Sequence, residues 1–424
     1  MRPDPRNPAR LCAALLVSLA LEAPAPALAA KDCSHTSTGL VPLNDLGSGL
    51  YQGVPGGLYA GGSNQHPYPH LFDGLRIARG IVPLDTLGQS DPTGGRIVLL
   101  GLGGNNASLE FAVFASSVAS DPTRNPRLAV VNGAAGGFDL LDAADPQSAY
   151  WDTVASRLRA AGASPAQVQI GWMKMYVEDA LGDFTASTDS TSRLLTRAVR
   201  NARTRLPNLE LLYLTPRIYG GYAGNAGLAE PNAYWTGFAF RQVILSQVSG
   251  DSLNFDPARG PVVAPWIDWG PYLWADGMQP RSDGLTWACS EFTGNGYVPS
   301  QSGRAAFADN LLAFFQRAVT ATPCYLNSST LDVPSGGAPG AVSLAAAPNP
   351  ASSGVTLRIT LASGPWTVRL LDLQGRQLRA YAGDGPADVR WDLLDDSGAR
   401  VRAGVYWARL HTKQGGVSRT LVVR

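Results

Sequence analysis

The stretch "RIVLLGLGGNNASLEFAVFASSVA", Arg96 to Ala119, sets an unbroken apolar run before a glycine-rich turn and then an apolar pattern at helical spacing. An unbroken apolar run is what a parallel strand needs when helices cover both of its faces. The same pairing recurs as "LAVVNG" from Leu128 before "YWDTVASRLRAAG", "VQIGWM" from Val168 before "STSRLLTRAVRNARTRL", and "LELLYLT" from Leu209 before "YWTGFAFRQVILSQV". A last helical pattern, "GRAAFADNLLAFFQRAV", ends near Ala318. This alternation predicts an α/β domain of βαβ units around a parallel sheet. Ligands of such sheets bind beyond the carboxyl ends of the strands, so "GLGGNNASLEF" marks the expected place for chemistry.

With 424 residues, 45% of them apolar, the chain can bury a full core and is long enough for two domains. A net charge of +1 and a charged fraction of 16% give no reason to expect nucleic acid or an anionic membrane surface as partner. Forty-seven Gly and thirty-one Pro point to long ordered loops. At the start, Arg2, Arg6 and Arg10 precede the apolar run "LCAALLVSLAL", and "APALAA" supplies small residues for cleavage, so residues 1–30 read as a secretory signal peptide. That run is far short of the roughly twenty residues a spanning helix needs, and no transmembrane segment is expected in the mature chain.

Export places Cys33, Cys289 and Cys324 in an oxidising compartment once Cys12 has left with the signal. Cys33 and Cys324 bracket the main domain, and chain ends are often neighbours in space, so this disulfide is favoured, with the other pairings left open. Cys289 would then be a small buried apolar residue. No pair of Cys or His has metal-ligand spacing, and neither a metal nor a cofactor is expected.

From Asn327 to about Ala345 the composition turns to a Ser, Gly, Pro and Ala linker. Beyond it, "VTLRITL", "WTVRLLDL", "DVRWDLL", "GVYWARLHT" and "VSRTLVVR" alternate apolar and polar residues between turn signals, the pattern of a β-sandwich. The segment 346–424 resembles the Ig-like C-terminal domains of type IX secretion sorting signals and of FlgD-type sandwiches, through "PNP" at Pro348 to Pro350, "DLQGR", "WDLLDDSGARVRAGVY" and "RTLVVR". The resemblance implies delivery by the type IX secretion machinery, a secreted or cell-surface location, and no catalysis.

The letters Gly250-Asp251-Ser252-Leu253 spell an esterase signature, but Ser252 follows the fourth helix in a polar loop, whereas a nucleophile elbow follows a core strand. Ser252 therefore reads as a turn residue. A serine triad also needs a base, and none of the four histidines, His35, His66, His70 and His411, lies between Arg96 and Pro323.

Residues 31–326 nevertheless resemble a family of secreted bacterial SGNH-type hydrolase-like proteins. The matching stretches include "YQGVPGGLYAGGSNQHP", "VVNGAAGG", "LPNLELLYLTPRIYGGYA", "EPNAYWTGFAF" and "APWIDWGPYLWADG". The resemblance implies a three-layer αβα, flavodoxin-like sheet. It also locates departures. Asn105 stands where the family has its serine, Asn295 replaces the acid and Val298 the histidine. An amide is a poor nucleophile, an isopropyl group cannot take a proton, and a neutral Asn cannot stabilise an imidazolium, so the triad reads as degenerate.

Ser108 is the alternative nucleophile, with the N-cap of the following helix as its structural role. Gly133, Gly136 and Gly137 occupy the loop where such folds place an oxyanion donor, or a tight turn. Asn106, Glu110 and Lys174 sit at the same edge and join the candidate binding residues. Trp266, Trp269, Tyr272 and Trp274, with Asp268 and Asp276 among them, form either a sugar-binding lining or a buried loop; Arg217, Tyr219 and Tyr222 lie nearby. Two function classes follow. One is a secreted, surface-attached protein with a lost triad that binds a glycan or acylated carbohydrate or acts as a scaffold. The other is an active hydrolase using an unrecognised serine, with Lys174 or a carboxylate as base, or the pair Asp268 and Asp276.

Overall fold

The computed structural model describes residues 30–178, 182–327, 342–361, 363–372, 375–413 and 415–424. The expected signal peptide, apart from Ala30, and most of the expected linker lie outside the described residues. Five strands, β1 (Ile97–Gly103), β2 (Leu128–Asn132), β3 (Val168–Lys174), β4 (Leu211–Leu214) and β5 (Trp266–Trp269), form one parallel sheet in the order β2-β1-β3-β4-β5. Every residue of β1 and of β3 is buried, which is why both read as continuous apolar runs.

Helices cover both faces, as right-handed crossovers require. α1 (Tyr68–Gly80), α2 (Asn105–Ala119), α7 (Gln301–Arg317) and the single turn α8 (Thr322–Tyr325) share one face. There Phe111 of α2 stacks on Trp172 of β3, and Phe307 of α7 meets the same indole edge-on. The other face carries α3 (Leu140–Ala144), α4 (Ala149–Ala160), α5 (Phe184–Arg205) and α6 (Asn232–Val248). The strand order reverses between β1 and β3, so the switch point lies beyond Gly103 and Lys174. Gly103 has φ 157°, and a methyl there would run into the Ala107 side chain and the Lys174 carbonyl, so only glycine lets the chain turn into α2. Helix α2 opens at Asn105 with Gly104 as N-cap, so Ser108 is its fourth residue and not the cap expected.

Before α1 the chain is a strap across the carboxyl edge of the sheet. Lys31 donates from Nζ to the carbonyls of Cys289 and Phe292, and Asp276 accepts from Ser37 Oγ, Thr38 N, Thr38 Oγ1 and Gly39 N at 2.5–2.9 Å. Leu43 N donates to Tyr272 Oη, Tyr234 Oη donates to the Val41 carbonyl, and Trp269 Nε1 to that of Leu58. The strap corrects the expected disulfide: Cys33 is joined to Cys289, not to Cys324. The reason is geometric. Cys33 docks at the carboxyl edge, whereas α8 lies near the start of β2, where Asn125 N bonds the Tyr325 carbonyl, so the two domain ends sit on opposite edges. Cys324 is free and buried, its thiol 3.3 Å from the Ala78 carbonyl.

The C-terminal part is a sandwich of two antiparallel sheets built from β6 (Ser343–Ala347), β7 (Val355–Thr360), β8 (Pro365–Leu371), β9 (Gln377–Asp384), β10 (Ala387–Trp391), β11 (Gly404–Thr412) and β12 (Gly415–Val423). The strand orders are β9-β8-β11-β12 and β10-β7-β6. Alternate residues such as Val355, Leu357 and Ile359 fill the core around Trp391. Val405 of β11 packs on Leu71 and Leu75 of α1, and Tyr68 Oη donates to the Val423 carbonyl at 2.9 Å. Among the described residues no helix is long and apolar enough to cross a membrane.

Burial pushes the Cys324 thiol up to about 12. A chain beginning at Lys31 therefore carries one thiol that a disulfide-exchange reagent titrates only after unfolding. Replacing Cys33 by Ser exposes a second, faster-reacting thiol and lowers the unfolding free energy by about 3 kcal/mol in urea titrations.

Candidate functional site

At the switch point the end of β3 delivers Lys174 under α2, where Glu110 meets it. The ammonium lies 2.6 and 2.7 Å from the two carboxylate oxygens and 4.3 Å from the Phe307 ring centroid, and both side chains are buried. Burial raises the Glu110 carboxyl and lowers the Lys174 ammonium, each toward its neutral form, and their mutual bond opposes both shifts. Held as an ammonium on Glu110, Lys174 has no lone pair to offer as a base.

Asn105 is exposed at the first turn of α2, and Asn106 beside it is buried. Asn106 Nδ2 donates to the Tyr297 carbonyl at 2.8 Å, which joins this turn to the late segment carrying Asn295 and Val298. Asn295 Oδ1 accepts from Thr293 Oγ1, Tyr297 N and Val298 N, so this side chain shapes its own loop. Val298 is buried. Gly133 N donates to the Gly101 carbonyl within the sheet and so cannot serve as an oxyanion donor, while a methyl at Gly136 would stand 3.2 Å from Asn105 Oδ1. The Ser108 carbonyl accepts from Asn132 Nδ2. The depression bounded by Asn105, Asn106, Phe138, Lys174, Tyr176 and Glu178 encloses only about 10 Å³, room for one water molecule.

The aromatic stretch turns inward. Trp266, Trp269, Tyr272 and Trp274 are all buried, and Trp274 Nε1 donates to Glu230 Oε1 at 2.8 Å. Tyr219 Oη donates to the His35 carbonyl and Tyr222 Oη to that of Trp287. Arg217 is buried, with its guanidinium on the Leu228 carbonyl and 4.6 Å from the Tyr176 ring centroid. Asp268 and Asp276 are buried and hold separate partners, Tyr59 and His66 for the one and Ser37 to Gly39 for the other. Ser252 Oγ lies 3.0 Å from Ser246 Oγ in the turn after α6, as its loop position implies.

The arrangement missed in the sequence is at the far edge of the sheet. The strap brings His66 to β5, where its Nδ1 lies 2.8 Å from Oδ2 of Asp268, a carboxylate 1% exposed. Tyr59 Oη donates to Asp268 Oδ1 at 2.6 Å and lies 2.7 Å from His66 Nδ1. The Tyr59 hydroxyl hydrogen is spent on Asp268 Oδ1, so Nδ1 carries a hydrogen toward Tyr59 Oη beside the carboxylate, and Nε2 is left as the exchangeable atom. Burial alone would lower the His66 imidazole, but the charge and hydrogen bond of Asp268 outweigh it and raise it. Burial likewise opposes ionisation of Asp268, and His66 and Tyr59 hold its carboxyl below the usual range. In the sequence His66 stands only as the first of two histidines in "NQHPYPH" before β1.

The fold is thus an α/β parallel sheet of flavodoxin-like strand order followed by an antiparallel sandwich. No family model and no curated protein matches the chain. Among solved structures, a putative acylhydrolase from Bacteroides fragilis is similar over 61% of this chain and 100% of its own, at 10% identity and a TM-score of 0.32. PorZ, an essential surface component of the type IX secretion system of Porphyromonas gingivalis, is similar over 19% of this chain at 27% identity and a TM-score of 0.17. PorU from the same organism matches over 22% at 21% identity and a TM-score of 0.18. The chain spans about a tenth of the length of PorU and of PorZ.

Replacing Lys174 by Met leaves the Glu110 charge buried and unpaired and costs about 3–5 kcal/mol in chemical denaturation. The double variant Lys174→Met, Glu110→Leu recovers most of that loss, because it removes both charges from the interior.

Proposed function

We propose that this is a secreted, surface-attached protein of SGNH-like architecture that has lost ester hydrolysis and works by binding or as a scaffold, with the C-terminal sandwich serving the type IX secretion machinery. The carrying observation is the switch point itself. Asn105 occupies the first turn of α2, Lys174 is locked on Glu110, and about 10 Å³ remains where a scissile bond would have to sit. A reacting ester needs a nucleophile, a base and an oxyanion donor around one atom, and this depression admits a single water. A glycan or acylated carbohydrate remains the proposed ligand class. With Trp269, Tyr272, Trp274 and Asp276 buried, its contact surface lies outside the aromatic loop, and the scaffold role is the simpler form of the reading.

A fluorophosphonate probe applied to the folded segment 31–326 leaves every serine unlabelled by mass spectrometry, and p-nitrophenyl acetate is hydrolysed at the rate of the buffer control. A stoichiometric adduct on Ser108, Ser252 or another serine would overturn the reading. Truncation at about Gly340 abolishes release across the outer membrane in a host with type IX secretion; normal release of the truncated chain would sink the sorting role.

A further inference from the structure

Independently of that reading, His66 opens onto a groove of about 540 Å³ between the sheet domain and the sandwich. Its near wall is Gln65, His66, Tyr68 and Leu71. Its far wall, on the sandwich, carries three exposed arginines, Arg376, Arg400 and Arg402. The two acids on that wall are committed to local structure. Asp372 accepts from Arg376 N and Nε at 2.9 Å, and Asp395 accepts from Ser397 N, Ser397 Oγ and Ala399 N in a turn. The His66 ring is 38% exposed, and among the described residues nothing is bonded to its Nε2. On the inner side it faces Asp268 and Tyr59, and His70 beyond them is held neutral by burial, with Nε2 donating to the Ile267 carbonyl at 2.9 Å.

We infer that this groove is a binding site for an oxyanion, a phosphate or sulfate group on a larger molecule, held by the His66 imidazolium from one wall and by Arg400 and Arg402 from the other. Each part has a chemical reason. Guanidinium groups match the geometry of tetrahedral oxyanions and keep their charge at every accessible pH. The Tyr59 hydroxyl and the Asp268 carboxylate hold the Nδ1 side of the ring, and the charged ring presents an N–H at Nε2 to the groove. Because the imidazole is held above its ordinary value, it is charged at mildly acidic pH and gives up that charge as pH rises through the raised value. Binding must therefore weaken with rising pH while the arginine contribution stays constant.

The experiment uses the full mature chain, labelled for imidazole NMR, and inorganic sulfate as probe, because sulfate stays a dianion across the range. Ionic strength is held constant with chloride. The expected result is a saturable shift of the His66 resonances, about tenfold weaker in affinity above the His66 titration than below it, the effect of losing one charge-assisted hydrogen bond. Arg400→Gln with Arg402→Gln weakens sulfate about tenfold and leaves the His66 resonances on folded protein, and His66→Gln removes the pH dependence while retaining residual binding. Displacement of sulfate by glucose 6-phosphate assigns a saccharide-type phosphate. Displacement by phosphatidylglycerol vesicles, but not phosphatidylcholine vesicles, assigns a membrane headgroup. A non-saturating shift, one equalled by chloride, or an affinity unchanged in the double arginine variant would overturn the site.

Discussion

Two opposite charges taken out of water must find each other, and the pairing of Glu110 with Lys174 sets the terms for everything at the carboxyl edge of the sheet. Once Lys174 ends β3 in the interior, α2 has to present Glu110 directly above it. That fixes the rotation of α2, and with it the position of Asn105 on the outside and Asn106 on the inside of the first turn. The turn is tight enough to exclude any side chain at Gly103. Phe307 of α7 closes the remaining side of the ammonium. The crevice that open α/β sheets ordinarily leave at the strand-order reversal is therefore filled by protein, and a large part of its polarity is consumed internally.

The strap before α1 has a complementary effect. Its backbone has little regular structure of its own, so its polar groups are satisfied by the loops it crosses: Asp276 takes four hydrogen bonds from three consecutive residues, and Tyr272, Tyr234 and Trp269 each take up or supply one more. Tyr272 and Trp274 of the loop after β5 are thereby shut in, with the Tyr272 hydroxyl spent on the strap and the Trp274 indole N–H on Glu230. The same course of chain carries His66 to Asp268. A bystander by sequence position thus becomes the one histidine seated on a buried carboxylate.

These two facts explain what was legible in the sequence. The parallel sheet was, because strands buried on both faces are unbroken apolar runs, as Ile97–Gly103 and Val168–Lys174 are. The sandwich was, because strands with one wet face alternate, as Val355–Thr360 does. The orientation of the residues from Trp266 to Asp276 was not legible, since an aromatic ring lends the same area to a ligand or to a core and only the strap decides between them. The disulfide partner failed for a related reason: proximity of chain ends is a statistical tendency, and here the ends leave from opposite edges of the sheet. The role of His66 was not legible because the segment supplying it precedes every strand of the parallel sheet, and nothing in the sequence sets it against Asp268.

The bond between Cys33 and Cys289 spans 256 positions and encloses all five parallel strands. The sheet domain is in effect a closed covalent loop with α7, α8 and the sandwich attached as a tail. A protease that nicks any surface turn between the two cysteines opens this loop without releasing a fragment. Such a clipped molecule keeps its mass apart from one added water under oxidising conditions and parts into two pieces only on reduction.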